Sequence, residues 1–283
     1  MSHTPKTLSK SSPKGAGYIH GYSPAEQSRL QNQAEFMEYL VYRDTNFSQV
    51  EHILEVGSGV GAQTQILLRR FPHLKVTGID INDAQLHSAR ENLKKLDFAN
   101  GRFEILKMSA DKLDFKDKTF QGAFICWILE HVKNPTSVLS EVRRVLKPGS
   151  RVYITEVMNF SFFLDPYCPA IWKFWIALND YQYDQGGDPF VGVKLGAFLR
   201  DTGFVDVDTN MRVLFADKRE PELRAKVITY WRDLLFSAID ELLKDNRVTQ
   251  EIVISMKREF EDILKNPNAI LFDSFMQATA RVP

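Results

Sequence analysis

A glycine-rich turn between a predicted strand and a predicted helix constrains the fold of this chain more than any other feature. An apolar strand at residues 52–56 runs into glycines at alternate positions, Gly57, Gly59 and Gly61, and a helical segment follows. Because glycine has no Cβ, the backbone of such a turn can approach a ligand closely. A second apolar strand ends at Asp80, where a carboxylate can accept hydrogen bonds from two ribose hydroxyls. The layout predicts a site for a nucleoside-bearing cofactor.

The spacing of the glycines separates two kinds of nucleotide site. A dinucleotide-binding turn reads Gly-x-Gly-x-x-Gly and receives a pyrophosphate at a helix N-terminus. Residues 55–61 read Glu-Val-Gly-Ser-Gly-Val-Gly instead, with Glu55 two positions before the first glycine. This stretch resembles the first motif of the class I S-adenosylmethionine (SAM)-dependent methyltransferases, Glu/Asp-x-Gly-x-Gly-x-Gly, at every fixed position. The resemblance implies SAM as the cofactor and S-adenosylhomocysteine (SAH) as its product.

The resemblance also implies which further residues meet the cofactor. Asp80 would hold the ribose hydroxyls, and Ile81 would pack on the adenine face. Asp111, after the third strand, would meet the adenine amino group, and residues 126–127 would lie beside the methionine end. The cofactor-binding residues implied in this way are Tyr22, Arg29, Glu55, Gly57, Ser58, Gly59, Gly61, Asp80, Ile81, Ser109, Ala110, Asp111, Cys126 and Trp127. A solvated turn position for Asp111 and a solvent-facing Arg29 remain open alternatives.

Three residues are candidates to take a proton from the acceptor: His20, His131 and Glu156. SAM is an activated electrophile, so alignment and exclusion of water matter more than a strong base. Histidine titrates near neutral pH, and Glu156 ends the predicted fifth strand on the acceptor side. The alternatives stay open, with His131 capping or packing its loop and Glu156 a buried, hydrogen-bonded acid. The sequence has no pattern typical of a metal-dependent enzyme, so no metal is expected.

The composition narrows the partners and the location. Lys plus Arg equals Asp plus Glu at 36 each, so the formal net charge is zero. A protein that follows a phosphate backbone usually carries a basic excess, so no nucleic acid is expected. The two cysteines form neither a disulfide framework nor a zinc pattern. No run reaches the ~18 apolar residues of a membrane span, so we expect no membrane span and a cytoplasmic location.

The alternation of strands and helices predicts an α/β fold with a doubly wound, mostly parallel sheet of seven strands. The resemblance implies that the seventh strand is antiparallel and pairs with the sixth. The predicted divisions are a flexible tail at 1–17, an N-terminal cap helix at 18–50, a SAM-binding core at 51–157, an aromatic lid and acceptor-pocket insertion at 158–189, and the rest of the sheet at 190–283 with a two-helix insertion at about 219–265. The competing interpretation of the aromatic segment is a core or dimer contact, and a homodimer is an open prediction.

The resemblance is to the small-molecule branch of the family, the type that methylates quinone precursors, sterols and other metabolites. It predicts methyl transfer by in-line displacement to a small, partly apolar acceptor. Two alternatives remain open at this point: a methyltransferase for protein or RNA, and a catalytically silent SAM-binding partner subunit. The sequence does not identify the acceptor atom.

Overall fold

The computed structural model of the chain describes residue 21 and residues 23–283. The predicted tail at 1–17 and two predicted site residues, His20 and Tyr22, lie outside the described residues. The strands in chain order are β1 His52–Val56, β2 Lys75–Asp80, β3 Phe103–Lys107, β4 Phe120–Cys126, β5 Leu146–Val157, β6 Phe163–Asp165, β7 Val205–Ala216 and β8 Ile270–Arg281. The helices are α1 Pro24–Val41, α2 Ala62–Arg70, α3 Asp83–Lys94, α4 Pro135–Val145, α5 Pro169–Asp184, α6 Leu195–Asp201, α7 Pro221–Ser237, α8 Ile239–Lys244 and α9 Gln250–Lys265.

These strands form one sheet whose order is β3-β2-β1-β4-β5-β8-β7. The first five strands in that order are parallel, and β8 runs antiparallel to β5 and to β7 on its two edges. The short strand β6 pairs with residues 270–272 of β8, beyond the end of β5 on the same edge. The predicted α/β fold with a mostly parallel sheet and an antiparallel seventh strand is therefore confirmed, and β6 is an addition that the sequence pattern did not show.

The central strands are buried on both faces because helices cover the sheet from both sides. Along β4, Phe124 packs into one apolar cluster with α1, α2, α5 and α7. Its neighbours Ala123 and Ile125 point to the opposite face, into a second cluster with α4 and α6. Fully burying one aliphatic or aromatic side chain contributes about 1.5–3 kcal/mol, so the two clusters fix the sheet between its helical layers.

Besides α1, helices from two later places in the chain cover the carboxyl ends of the strands. Helix α5 follows β6, within the aromatic stretch, and packs against α9. Helices α7, α8 and α9 lie between β7 and β8, so they are an insertion in the hairpin that these strands form. The first predicted helix of this insertion is interrupted at Ala238 and becomes α7 and α8. A 3₁₀ turn, Val191–Lys194, leads directly into α6.

The aromatic stretch at 158–189 divides between the interior and the surface. Phe162, Phe174 and Trp175 are buried in the first cluster, whereas Tyr167 and Tyr183 are each 60% exposed. Part of the stretch therefore is core, as the competing interpretation expected. The division of the chain into a cap, a core, a lid and an insertion stays a prediction.

Candidate functional site

A cavity of about 290 Å³ lies at the carboxyl ends of β1, β2, β4 and β5. Its floor is formed by the glycine-rich turn after β1 and by the segments after β2 and β4. Helices α1, α5 and α7 and the first residues of β8 contribute the remaining walls. Ligands of open α/β sheets bind at this edge, so the cavity stands where the sequence predicts the cofactor.

All three glycines of the turn have a left-handed backbone, with φ of 75° at Gly57, 50° at Gly59 and 78° at Gly61. A Cβ on Gly57 would lie 2.4 Å from Ile128 Cδ1, so this position is filled by protein. A Cβ on Gly59 would meet no protein atom within 4 Å, and Gly59 lines the cavity. The turn therefore leaves an open approach for a ligand at Gly59.

Asp80 holds the glycine turn against the end of β2. Its Oδ2 accepts a hydrogen bond from the Gly59 N–H at 3.0 Å, and its Oδ1 accepts one from the Asn82 N–H at 2.9 Å. Burial raises the pKa of the Asp80 carboxyl, while these backbone N–H groups lower it. Beside it, Ile81 lines the cavity with 63% of its surface exposed. The carboxylate and the apolar side chain thus lie together at one end of the cavity.

Two buried polar atoms on this wall have no hydrogen-bond partner among the described residues. They are Ser58 Oγ on the glycine turn and Gln85 Oε1 on α3, and both side chains line the cavity. An unpaired buried polar group costs about 1–3 kcal/mol, so a ligand with donors and acceptors stabilises this wall. With the open space at Gly59, this wall fits the nucleoside part of SAM.

The structure brings nine of the predicted site residues to the cavity and leaves six away from its lining. Those in the lining are Arg29, Gly57, Ser58, Gly59, Asp80, Ile81, Cys126, Trp127 and His131. Among the described residues, those outside the lining are Glu55, Gly61, Ser109, Ala110, Asp111 and Glu156. Gly61 lies at the start of α2, where a Cβ would be 3.2 Å from Leu93 Cγ. The three residues after β3 keep their cofactor roles as predictions.

Glu55 lies beneath the glycine turn and supports it. Its side chain is buried, and Oε2 accepts a hydrogen bond from the Thr64 hydroxyl on α2. Burial is the main cause that raises the pKa of Glu55 to about 8; the Thr64 hydrogen bond opposes this shift, and the charge of Asp80 adds to it. The side chain therefore ties β1 to α2, and a direct contact with the cofactor stays a prediction.

Glu156 supports the loop after β4 in a similar way. Its Oε1 accepts hydrogen bonds from the N–H groups of Ile128 at 3.0 Å and Leu129 at 2.8 Å. The residue is fully buried, and burial, followed by the charge of Glu130, raises its pKa to about 8. Of the two interpretations of Glu156, the geometry favours the buried, hydrogen-bonded acid. It holds the loop that carries Trp127 into the cavity.

Arg29 is buried rather than solvated, with only 8% of its surface exposed. Its guanidinium makes two contacts with the Glu26 carboxylate, at 2.7 Å and 2.5 Å, and donates to the Tyr230 hydroxyl at 2.9 Å. Gln33, one turn further along α1, lines the same wall. The solvent-facing alternative for Arg29 is wrong, because the insertion helix α7 covers this face of α1 and brings Tyr230 to it.

His131 lines the cavity at the end of the loop that Glu156 holds. Its Nδ1 is 3.5 Å from Gln182 Nε2 on α5, and its Nε2 is 3.7 Å from Glu130 Oε1. Both neighbours line the cavity as well. The ring therefore has polar contacts that orient it, and its role as a base stays a prediction.

The structure adds site residues that the sequence reasoning missed, on α7 and β8. Trp231 stacks on Phe162 with ring centroids 4.2 Å apart and meets the edge of Trp175 at 4.9 Å. Trp175, Trp231 and Asp273 all line the cavity. The amphipathic pattern of α7 gave no signal of a site, because it resembles any helix packed on a core. The sequence around Asp273 gave no signal of a site either, because Asp273 reaches the cavity only through the pairing of β8 with β7.

None of the described helices is long and apolar enough to cross a membrane. Among the described residues, no group of three or more His, Cys, Asp or Glu side chains is arranged to hold a metal ion. The thiol of Cys126 lies at the end of β4, and burial raises its pKa well above the usual value. The thiol therefore stays protonated near neutral pH.

Comparisons with known proteins agree with this site. Residues 54–154 match the family model described as a methyltransferase domain. The chain is 30% identical over 208 residues to an O-methyltransferase of Pyrenophora dematioidea, a match covering 70% of this chain and 73% of the relative. It is 29% identical over 189 residues to a demethylmenaquinone methyltransferase of Symbiobacterium thermophilum, covering 60% and 74% of the two chains.

A solved structure shares the fold. It is phosphoethanolamine N-methyltransferase 2 of Haemonchus contortus in complex with phosphomonomethylethanolamine and SAH, with a TM-score of 0.56 and 16% identity. The alignment covers 91% of this chain and 58% of that chain.

The fold, the glycine turn with Asp80 and these relatives define a class I SAM-dependent methyltransferase of the small-molecule type. The chain belongs to this methyltransferase family, and its cofactor is SAM. The alternatives of a protein or RNA methyltransferase and of a silent partner subunit are not favoured.

Proposed function

We propose that this enzyme transfers the methyl group of SAM to a small, partly apolar acceptor bound in the aromatic half of the cavity. The observation that carries the proposal is the continuity of one cavity. Gly59 and Asp80 line it from the ends of β1 and β2, and Trp175 and Trp231 line it from α5 and α7. Ligand pockets are mostly apolar with a few placed polar groups, and the second half of the cavity has this character.

In this proposal the chain itself supplies binding, orientation and exclusion of water. The glycine turn gives the cofactor a close approach, Asp80 binds its ribose, and Ile81 packs on its adenine ring. The segments at 109–111 and 126–127 bind the adenine and the methionine end. When bound, SAM supplies an electrophilic methyl group, so the protein has to align the acceptor more than activate it.

The walls contributed by α1, α5 and α7 support a small acceptor rather than a macromolecule. Phe36, Trp175 and Trp231 come from three different helices and line the same cavity. A folded RNA or protein does not fit between such walls, whereas a flat organic molecule does. The predicted homodimer and cytoplasmic location stay predictions.

The test is calorimetric titration of the purified protein with SAM and SAH, followed by mass spectrometry after incubation with SAM and candidate acceptors. We expect binding of both cofactor forms and transfer of one methyl group to a small aromatic or quinol acceptor. A folded protein that binds neither SAM nor SAH contradicts the cofactor assignment. A protein that binds both, and methylates proteins or RNA but no small molecule, contradicts the acceptor assignment.

A further inference from the structure

Asp273 is a carboxylate in the aromatic half of the cavity that the proposed function does not yet use. It lies near the start of β8 and is paired across the sheet with Leu214 of β7, which lines the same cavity. The Ser161 hydroxyl lies 3.1 Å from Asp273 Oδ1 and can donate a hydrogen bond to it. The same hydroxyl lies 3.1 Å from the Ser274 carbonyl oxygen, which is a second possible acceptor. One hydroxyl hydrogen is thus shared between two acceptors, and the Ser274 backbone N–H is the other donor to the carboxylate. A carboxylate has about four accepting sites, so part of its capacity is left for a ligand.

The charged groups around the cavity leave Asp273 without a cation of its own. Arg29 on α1 is compensated by the two contacts with Glu26. The negative charges of Asp273 and Glu130 both contribute to the raised pKa of Tyr230 on α7. No ion pair of Asp273 is present among the described residues, and the imidazole of His131, which also lines the cavity, has its Nε2 3.7 Å from Glu130 Oε1. An acceptor bound here has to bring a hydrogen-bond donor, because a carboxylate or phosphate would be repelled.

We propose that Asp273 binds a hydroxyl group of the acceptor and takes its proton, so that the acceptor is a flat aromatic alcohol. The proposal rests on the proposed function, because it names the chemistry of the acceptor half of that cavity. The aromatic rings of Trp175 and Trp231 supply the apolar walls for such a molecule. The carboxylate supplies the polar contact that fixes its orientation.

The proton balance of the step is complete within these groups. The acceptor O–H bond breaks, and its proton passes to a carboxylate oxygen of Asp273. The acceptor oxygen uses the freed electron pair to bond the methyl carbon, and the electrons of the broken carbon–sulfur bond stay on sulfur. The sulfonium and the carboxylate both become neutral in this step, because sulfur gains the electron pair and Asp273 gains the proton. Water later removes the proton from Asp273.

The environment of Asp273 suits a group that accepts a proton near neutral pH. Burial raises its pKa to about 7, against the lowering effect of the hydrogen bonds from Ser161 and the Ser274 backbone. A general base works best when its pKa lies near the working pH. Below a pH of about 7 the carboxyl is protonated and cannot accept a further proton, so turnover is expected to fall there and to level off above it.

The binding test uses the SAH-loaded protein and three probes that share a ring system: 2-naphthol, naphthalene and naphthalen-2-ylmethanamine. We expect the protein to bind 2-naphthol about tenfold or more tightly than naphthalene, because a hydrogen bond to a charged group contributes about 1.5–3 kcal/mol. Asp273→Asn should lose most of this preference. Asp208→Asn, which changes an exposed carboxylate on β7, is the matched control and should keep it.

Measurements of SAH affinity and of thermal unfolding separate this proposal from the proposed function and from misfolding. SAH affinity should stay within about twofold in both variants, because neither residue belongs to the cofactor end. If the wild-type protein does not bind SAH, the proposed function itself is refuted. Normal SAH binding with equal affinity for 2-naphthol and naphthalene, or with no binding of either probe, overturns only the Asp273 proposal.

Two further results would count against Asp273. If naphthalen-2-ylmethanamine, which is an ammonium ion at neutral pH, binds more tightly than 2-naphthol, the acceptor is an amine. A second measurement, the pH profile of methyl transfer to 2-naphthol, does not depend on the stability of a variant. The wild-type rate should fall on the acidic side of a pH of about 7, and a rate that is flat there contradicts a role for Asp273 as the base.

Discussion

Replacing Gly59 with alanine tests whether the open approach in the glycine turn is the cofactor site. Gly59 has a φ of 50°, and an added Cβ would meet no protein atom within 4 Å. The substitution therefore causes backbone strain without a clash in the free protein. The left-handed conformation costs an L-residue about 1–2 kcal/mol, so Gly59→Ala should lower the free energy of unfolding by about that amount.

The matched control is Gly101→Ala. Gly101 has a φ of 71° and also no neighbour within 4 Å of an added Cβ, so its strain should be similar. It lies just before β3, at the amino edge of the sheet, away from the cavity. Both variants should have similar backbone strain, but only Gly59→Ala places a methyl group in the cavity. A difference in ligand affinity between the two variants therefore reports the methyl group and not the strain.

The expected difference appears in the dissociation constant of SAH. The new methyl group of Gly59→Ala occupies space that the ligand needs, and overpacking of this kind costs about 1–3 kcal/mol. Because 1.4 kcal/mol corresponds to a tenfold change, calorimetric titration should show SAH binding weakened by about 5- to 150-fold. Gly101→Ala should bind SAH like the wild type. Equal SAH affinities in the two variants would refute the argument that the cofactor passes over Gly59.

Three further variants test the supporting residues. Asp80→Ala should weaken SAH binding at least about tenfold in calorimetry, because it removes a charged acceptor; unchanged affinity would exclude Asp80 as the ribose ligand. Glu55→Gln should gain stability relative to wild type by about 1.4 kcal/mol per pH unit between pH 4.5 and about 8. The folded state holds the Glu55 proton over this range and the unfolded state releases it, so wild-type stability falls with rising pH; a constant difference in denaturant unfolding would contradict the raised pKa. Glu156→Ala leaves the two loop N–H groups unpaired and should cost about 2–6 kcal/mol in denaturant unfolding, and a loss below 1 kcal/mol would show that the loop does not depend on Glu156.

The insertion between β7 and β8 lines the part of the cavity in which we propose that the acceptor binds. The sheet and the glycine turn supply a cofactor site, but Tyr230 and Trp231 of α7 complete the roof above it. Helix α5, packed against α9 of the same insertion, places Trp175 edge-on against Trp231 in the cavity lining. Changes in these helices would therefore alter the acceptor without altering the cofactor.

The cofactor end of the site was predictable from sequence because its residues are local. The glycine turn and the carboxylate of Asp80 follow strands that can be recognised by their apolar pattern, and parallel strands place their carboxyl ends together. The roles of Glu55 and Glu156 were harder to predict. Both are acids at strand ends, and only the hydrogen bonds to Thr64, Ile128 and Leu129 show that they support loops.

The sequence analysis assigned an acceptor pocket to the aromatic stretch at 158–189, which includes Trp175 of the lining. The residues that α7 and β8 add to this end of the cavity were not predictable, because they are far from that stretch in the sequence. Arg29 meets Tyr230 across 201 positions, and the buried contact follows from the packing of α7 on α1. Asp273 enters the cavity only because β8 lies between β5 and β7. Burial of a carboxylate, and with it a raised pKa, depends on which helices cover it.

The sequence by itself determined the α/β alternation, the glycine turn and the class of cofactor, since strand and helix periods and a short motif are local properties of the chain. The tertiary structure decided which polar groups are buried, which helices cover the cavity and which side chains face the acceptor. These properties depend on contacts between distant segments, and such contacts arise only when the insertion helices pack over the completed sheet.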